Sequence, residues 1–571
     1  MSCFKLSQAT ITSHTVICRR FLWSGTDINR RTSLVSWESI CHLIKEGGLG
    51  VKMLEVWNKA ATLKNVWLIA SGSGSLWANW VDANLIQNRS FWDIKCPKDF
   101  SWSWRHILNA REEAVKLMHY KIGKGNFTYF WKDPWHPLGV LSNRFPEEMR
   151  YDSILFKDAP VRNILNNGRW EVPENYAYIL SDIWEGLNRV VIDVTGEDEV
   201  IWKASTSGTF TMKSSYEEIR HHNPTWNYAQ LIWFNGCIPS HSFITWNIFK
   251  GALKTQTKLK RWGLVAQSVC LFCWAEEETE NHIFFTCCYA KWIWEQLLQK
   301  LGFNRSTLNY NEEIQWVLSQ IPGYSLKSIL QKLCVNCFIY HIWRERNNRV
   351  FNNVQTKAPS LLKNILSDVK LKLACSKTKL LDTAVNRFYA ESWELRVAWK
   401  VPVISHCKWK MPPNSVCMIN CAGNTMGGFG AIIRIDEGRA VAACAGRMIT
   451  KSMLHHELLS IKTGLKLAIK YGKVKNEVNT KSTMAVSVIT KQYSSDWQCR
   501  AIVREILIIT ESLEWFRINQ IPTEANQPVL VLSRLRHELG YEEVRPTEFS
   551  EELKQKVKDD TDGKTYVISH S

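Results

Sequence analysis

The sequence predicts a multidomain chain in which a mostly α-helical, metal-binding region precedes an α/β domain built on a mixed five-stranded sheet. Three observations carry that prediction. At 571 residues the chain exceeds what one hydrophobic core organises, so roughly three to five units of about 100–150 residues are expected. Residues 270–287, CLFCWAEEETENHIFFTC, gather Cys270, Cys273, His282 and Cys287 and lead into the amphipathic run ENHIFFTCCYAKWIWEQLL. Beyond residue 415, VCMIN, FGAIIRI and AVAACAG read as three strands, and helical and extended runs then alternate.

Composition limits the function classes. A hydrophobic content of 45% with 28 tryptophans supplies several packed cores and argues against wholesale disorder. The formal charge of +18 favours a polyanionic partner over an acidic small substrate. Charge alone does not separate RNA, DNA and membrane surface. The first 25 residues, MSCFKLSQATITSHTVICRRFLWSG, lack the unbroken apolar core of a secretory signal, so secretion is not expected. The uncharged stretch NVWLIASGSGSLWANWV is interrupted by Gly, Ser and Asn, so no membrane span is expected either. Seventeen scattered cysteines, an odd number, fit free thiols in a reducing compartment, nuclear or cytoplasmic.

The clustered cysteines stand apart from the scattered ones. Zinc takes thiolate and imidazole ligands at tetrahedral corners, and Cys-x2-Cys lets two sulfurs hold one ion from a tight turn. His282 and Cys287 then close the shell, with the adjacent Cys288 as a competitor for the fourth place. Five residues separate His282 from Cys287, which puts them on different helical stripes, so the following helix is expected to begin near or after Cys287. Four protein ligands leave no open position, and the metal is expected to be structural.

The surrounding residues add a resemblance. LIWFNGCIPSHSFITWNIFKGALKTQTKLKRWG, the Cys/His run and KWIWEQLL are similar to the reverse transcriptase zinc-binding domain of plant non-LTR retroelements, over about residues 226–300. RRFLWSG, HLIKEGGLGVKMLEVWNKAATLKNVWLI, YKIGKGNFTYFWKDPWHP and DEVIWKASTSGTFTMKSSY resemble, in that order, the region after the polymerase of such elements. The resemblance implies that residues 1–70 correspond to the end of a polymerase thumb or connection and 71–225 to a Trp-rich connecting region. The family's polymerase signature, Tyr or Phe followed by Ala-Asp-Asp, has no match in the sequence. Polymerisation by this chain is therefore not expected.

Residues 301–408 read as a basic helical linker. From 341 to 380, nine Lys or Arg stand against two acids, and the cations alternate with Trp343, Phe351 and several leucines. One side of such a helix packs and the other meets water or phosphates. Arg344, Arg346, Arg349, Lys370 and Lys372 are the candidate nucleic-acid contacts.

The α/β domain over 409–533 resembles a ribonuclease H-like domain through WKMPPNSVCMINCAGNTMGGFGAIIRIDEGRAV, HHELLSIKTGLKLA and IPTEAN. An active member of that family cleaves the RNA strand of an RNA–DNA hybrid with two divalent ions held by carboxylates, so Mg²⁺ is implied only if the acids are present. The resemblance puts the four acidic positions at Ala422, Glu457, Lys481 and Leu530. Only Glu457 is retained, and alone it reads as an exposed residue at a helix start. A lysine places a positive charge where the metal belongs. Glu477 is the best replacement acid, with Asn420, Asn424 and Asp436 behind it.

Residues 534–571 form a tail in which, from 541 on, eight acids face five Lys or Arg. It is expected to be solvated and partly disordered, with a short helix at EFSEELKQKVK. Three readings follow: a retroelement-derived nucleic-acid-binding protein with a structural zinc module and an inactive nuclease fold, a residual hybrid ribonuclease, and an interaction protein without specific nucleic-acid binding. The sequence leaves the oligomeric state unassigned.

Overall fold

The computed structural model describes residues 6–24, 33–145 and 155–570, apart from 88, 97–98, 167, 172–180, 189, 191, 194–195, 322, 324, 376–378, 402, 449–451, 494 and 536–537. Lys377 of the basic stretch lies outside the described residues. Two compact units form, each from separated stretches: 6–58 with 219–402, and 59–218 with 403–570. The six consecutive segments read from the sequence thus interleave. The division within the first falls inside the helix Leu54–Ala70, and most of the Trp-rich segment shares a unit with the sheet.

The first unit is helical. Its chief elements are α1 (Pro239–Phe249), α2 (Cys288–Lys300), α3 (Leu326–Phe351) and α4 (Ala358–Ala374). Ser325 caps α3 by accepting a hydrogen bond from the Ser328 N–H. From Leu330 to Ile339 every residue of α3 is buried, as befits a helix with apolar side chains on all faces. Asn336, one of the polar exceptions, donates to the carbonyls of Leu231 and Lys332 at 2.9 and 2.7 Å. Leu361, Ile365 and Val369 recur every fourth residue along α4 and bury that stripe in the core that also holds Phe285, Trp294 and Phe338. The N-terminal stretch is tied in by Trp246, which donates to the Gly47 carbonyl, and by Arg220, which grips Glu46 through two 2.8 Å bonds.

The second unit is organised by a six-stranded sheet. Its strands are β1 (Cys417–Gly423), β2 (Gly428–Arg434), β3 (Ala440–Arg447), β4 (Lys475–Thr480), β5 (Trp515–Gln520) and β6 (Gly540–Val544), in the order β5-β4-β1-β2-β3-β6. The first three are antiparallel neighbours, and β4 runs parallel to both β1 and β5. Five strands were expected and six are present. The additional β6 pairs antiparallel with β3, from Ala443 opposite Val544 to Arg447 opposite Gly540, and covers backbone groups that an edge strand leaves open. Three of its five residues are exposed, so its charged sequence gives no strand signal.

Helix α5 (Met453–Lys470) packs on the face of β1 that carries Cys417, Ile419 and Cys421. Gly464 permits the approach: a Cβ there would stand 2.8 Å from the Ile419 side chain. The opposite face, with Ala422, Ile432, Ala443 and Ala445, is covered by α6 (Gln527–Leu535) and α7 (Glu551–Thr561). The tail is therefore packed where a solvated segment was expected. Leu553 and Phe549 enter that core, and Asp560 meets Arg434 at 2.8 Å with both side chains fully buried. The Arg434 guanidinium also lies over the Trp409 ring. The strand Thr565–His570 then pairs with Val403–Lys408.

The Trp-rich segment packs within this unit around Phe130, Trp131 and Trp135, beside a pairing of Met118–Lys121 with Glu199–Trp202. Its GKGNFT turn wraps the Asp198 carboxylate, which accepts hydrogen bonds from the N–H groups of Gly123, Gly125, Phe127 and Thr128. It meets the sheet domain through Trp497, whose N–H groups reach the carbonyls of Ser205 and Thr206, and through the pairs Arg500–Glu199 and Arg504–Asp193. Each described cysteine is a free thiol. No described helix is long and apolar enough to cross a membrane.

Candidate metal centre and carboxylate site

The Cys/His cluster is built by three local devices. Val269 and Glu277 form an antiparallel bridge, and the Cys270 N–H donates to the Glu276 carbonyl at 2.7 Å. Within that bridge the chain turns tightly: Trp274 takes a left-handed φ of 58° and donates to the Cys270 carbonyl, which folds Cys273 back beside Cys270. Residues His282–Thr286 then make one wide helical turn, and the extended backbone of Cys287 breaks it from α2. That break puts His282 and Cys287 on one side despite their spacing of five.

One ligand atom from each of Cys270, Cys273, His282 and Cys287 lies within 4.8 Å of the others. The sulfurs of Cys270 and Cys287 are 3.9 Å apart, and Cys273 Sγ is 3.2 Å from His282 Nε2. Zn–S and Zn–N bonds of about 2.3 and 2.0 Å give tetrahedral edges of about 3.5–3.8 Å, so these residues fit a zinc ion. Cys288 points to solvent and has no place in the cluster. The contact between the Cys270 and Cys287 thiols lowers the pKa of the first and raises that of the second; zinc takes both as thiolates.

The shell around the four is equally specific. His282 Nδ1 lies 2.9 Å from Glu276 Oε2, which orients the ring and leaves Nε2 for the metal. The Phe272 N–H points at Cys270 Sγ from 3.4 Å. Arg346, expected at a phosphate, instead lies inside and grips Glu278, both side chains at 3% exposure or less. Arg349 is also committed inward: it pairs with Glu345 at 2.8 Å, donates to the Leu271 carbonyl, and lies against the stacked Phe272 and Tyr289 rings. These two arginines brace the metal-binding turn and are corrected from the nucleic-acid set. Arg344 is exposed, Lys372 is half-buried, and Lys370 makes a surface pair with Glu394.

The sheet carries the second site. Glu457, near the start of α5, is 1% exposed, contrary to the exposed position expected for it. The Thr480 hydroxyl donates to its Oε2 at 2.9 Å, and burial pushes its carboxyl pKa up. Lys481 Nζ donates to the Gly423 carbonyl at 3.0 Å and stands 3.6 Å from Glu457 Oε1. Ala422 is fully buried on the opposite face of β1, in the core against which Leu530 packs. The replacement acids do not reach this point. Glu477 stands opposite Met418, four residues from Ala422 and about 13 Å along the strand, and accepts a bond from Asn519 at 2.6 Å. Asp436 follows Arg434, which also pairs with Met418, and so lies beyond the same distal end. Asn420 is bound to Asn526, and Asn424 to the Ser533 carbonyl. Among the described residues, Glu457 belongs to no group of three or more His, Cys, Asp or Glu side chains close enough to hold an ion.

Comparison with known proteins gives two matched segments. Residues 210–294 match the family described as zinc-binding in reverse transcriptase, and residues 419–535 match the family described as reverse transcriptase-like. A protein of Arabidopsis thaliana named as a candidate ribonuclease H protein is 28% identical over 373 residues, which cover 62% of this chain and 58% of that protein. The match thus spans less than two thirds of the relative's length. An uncharacterised mitochondrial protein of the same plant is 29% identical over 136 residues, 24% of this chain and 88% of its own. Among solved structures, ribonuclease H1 of Halobacterium salinarum matches with a TM-score of 0.20 and 14% identity, over 21% of this chain and 92% of that one.

Proposed function

We propose that the chain is a retroelement-derived nucleic-acid-binding protein whose zinc centre is structural and whose ribonuclease H-like domain does not cleave. The observation that carries the reading is the Lys481 ammonium, held 3.6 Å from Glu457. At that distance the ammonium supplies a single positive charge near where an active site holds a divalent ion, without its coordination positions. Lys481 offsets part of the cost of burying Glu457, which among the described residues joins no cluster of acids that could hold an ion.

Zinc, when bound, supplies a closed tetrahedral link and no reactive position. The residues of the chain do the rest: Glu276 sets the His282 ring, and Arg346 and Arg349 hold the turn against α3. Nucleic acid is engaged through the cations left on the surface, Arg344, Lys370 and Lys372 among them. The Lys370–Glu394 pair is exposed and exchanges readily for a phosphate.

Purified protein is expected to show no cleavage of an RNA–DNA hybrid at millimolar Mg²⁺, with or without Glu457→Gln. Mg²⁺-dependent cleavage abolished by that substitution would overturn the inactive reading. Binding is checked by titrating hybrid, duplex and single strands as salt rises from about 50 to 200 mM. A steep loss of affinity is expected from counterion release, and a flat response would favour an interaction protein.

A further inference from the structure

Away from the Cys/His turn, three side chains from three helices of the first unit converge on one point: His241 of α1, His341 of α3 and Asp368 of α4. Each offers one ligand atom, and these atoms lie within 4.8 Å of one another. Asp368 Oδ2 stands 2.8 Å from His341 Nε2 and 3.6 Å from His241 Nε2. An ion bound at about 2.0–2.2 Å separates neighbouring donors by about 2.9–3.6 Å for angles of about 90–120°. Both distances from Asp368 fall close to that range, and the two histidine donors lie within 4.8 Å of each other.

Orientation is fixed from behind. His241 Nδ1 lies 3.3 Å from Cys337 Sγ, and its ring stacks on Tyr340 with centroids 4.0 Å apart. Such rear contacts set which ring nitrogen faces a metal. Both histidines are buried, whereas Asp368 is partly exposed on the wall of a cleft of about 300 Å³ between α3 and α4. One turn beyond His341, Glu345 lines the same cleft. Its Oε1 accepts from Arg349 and from the Thr356 N–H, while its Oε2 is buried without a hydrogen-bond partner among the described residues.

We propose that His241, His341 and Asp368 form a second metal site, for a borderline divalent ion of the Zn²⁺ type, with its remaining coordination position open to this cleft. Two imidazoles and one carboxylate suit zinc better than Mg²⁺ or Ca²⁺, which take oxygen shells. Unlike the cysteine centre, this one has three protein ligands and exchanges its fourth with solvent. Its core surroundings are those of α3, so the fold presents it whether or not the ion is bound.

The test is metal stoichiometry on the full chain. Protein equilibrated with Co²⁺ or Zn²⁺ and freed of loose metal is expected to hold two equivalents. Asp368→Asn and His341→Gln each lower this to one, with the Co²⁺–thiolate absorption of the cysteine centre unchanged. Cys273→Ser removes that absorption and leaves the second equivalent, which separates failure of the cysteine site from failure of this one. One equivalent in the wild type, carried by the thiolate signal alone, would overturn the proposal and leave a metal-free His–Asp–His hydrogen-bond cluster. Wild-type stoichiometry decides the matter even if a variant does not fold.

Discussion

The cysteine turn and the carboxylate site are two polar centres of comparable size, and they are built in opposite ways. Around the cysteines, each neighbouring charge supports an ion: Glu276 orients His282, and the Arg346–Glu278 pair holds the turn against α3. Around Glu457, each neighbour replaces one. An ammonium stands 3.6 Å from one carboxylate oxygen, and the Thr480 hydroxyl donates to the other. A fold survives loss of a metal when a fixed cation takes over its electrostatic work. On the reading proposed above, catalysis does not survive it, because the ammonium brings no coordination positions.

The largest test of the comparison is metal removal. Chelation, or Cys273→Ser, is expected to unfold the region around residues 226–300, since structural zinc contributes on the order of 10 kcal/mol to small modules; differential scanning calorimetry with and without chelator reads it. A transition that ignores chelation would break the contrast. Next is Arg346→Ala, expected to cost about 3–5 kcal/mol because it leaves Glu278 buried and unpaired. Arg344→Ala should leave stability within about 0.5 kcal/mol and weaken nucleic-acid binding, so urea melts and binding titrations of the two variants separate a brace from a contact.

A smaller effect is expected from Lys481→Met, about 1–2 kcal/mol near pH 7. Its sign follows from Glu457. Burial already raises that carboxyl pKa, and Lys481 opposes the rise, so the variant raises it further. A buried acid with a raised pKa destabilises the fold once pH exceeds its unfolded value, and protonation relieves the cost. The penalty should shrink between pH 7 and pH 4. A pH-independent cost would show that the ammonium acts through packing alone.

The smallest effect concerns Asp193. Its carboxyl is held well below the usual range, first by the hydrogen bond from Arg504. A depressed acid contributes stability above its unfolded pKa and loses it as pH falls further. Melting of the wild type should drop below about pH 4, and Asp193→Asn should flatten that drop by under about 1 kcal/mol, since Arg504 is largely solvated.

The four metal ligands were legible because Cys-x2-Cys encodes a local turn and the break before α2 follows from the stripe mismatch of His282 and Cys287. The residue behind the histidine was not legible. EEETE offers four acids in five positions, and the fold sends Glu276 to His282, Glu277 to Ser268, Glu278 to Arg346 and Glu280 to Lys258. Nothing in an acidic run ranks such destinations. The same blindness misassigned Arg346 and Arg349, since a charge count does not say which face of a helix turns inward. Only long-range contacts bring His241, His341 and Asp368 together, across more than a hundred residues. The first five strands were readable as strands, β1 to β3 from apolar runs, though not their order in the sheet; β6 was not, because an exposed edge strand shows the composition of a loop.

Similarity to the reverse transcriptase-like family stops at residue 535, but the folding unit does not. A fragment cut there would carry the Arg434 guanidinium into an apolar interior with its counter-ion removed, and would expose the backbone edge of β3 to any passing strand. The boundary that matters for making this domain in isolation therefore lies beyond Asp560, in a stretch that family resemblance alone would discard.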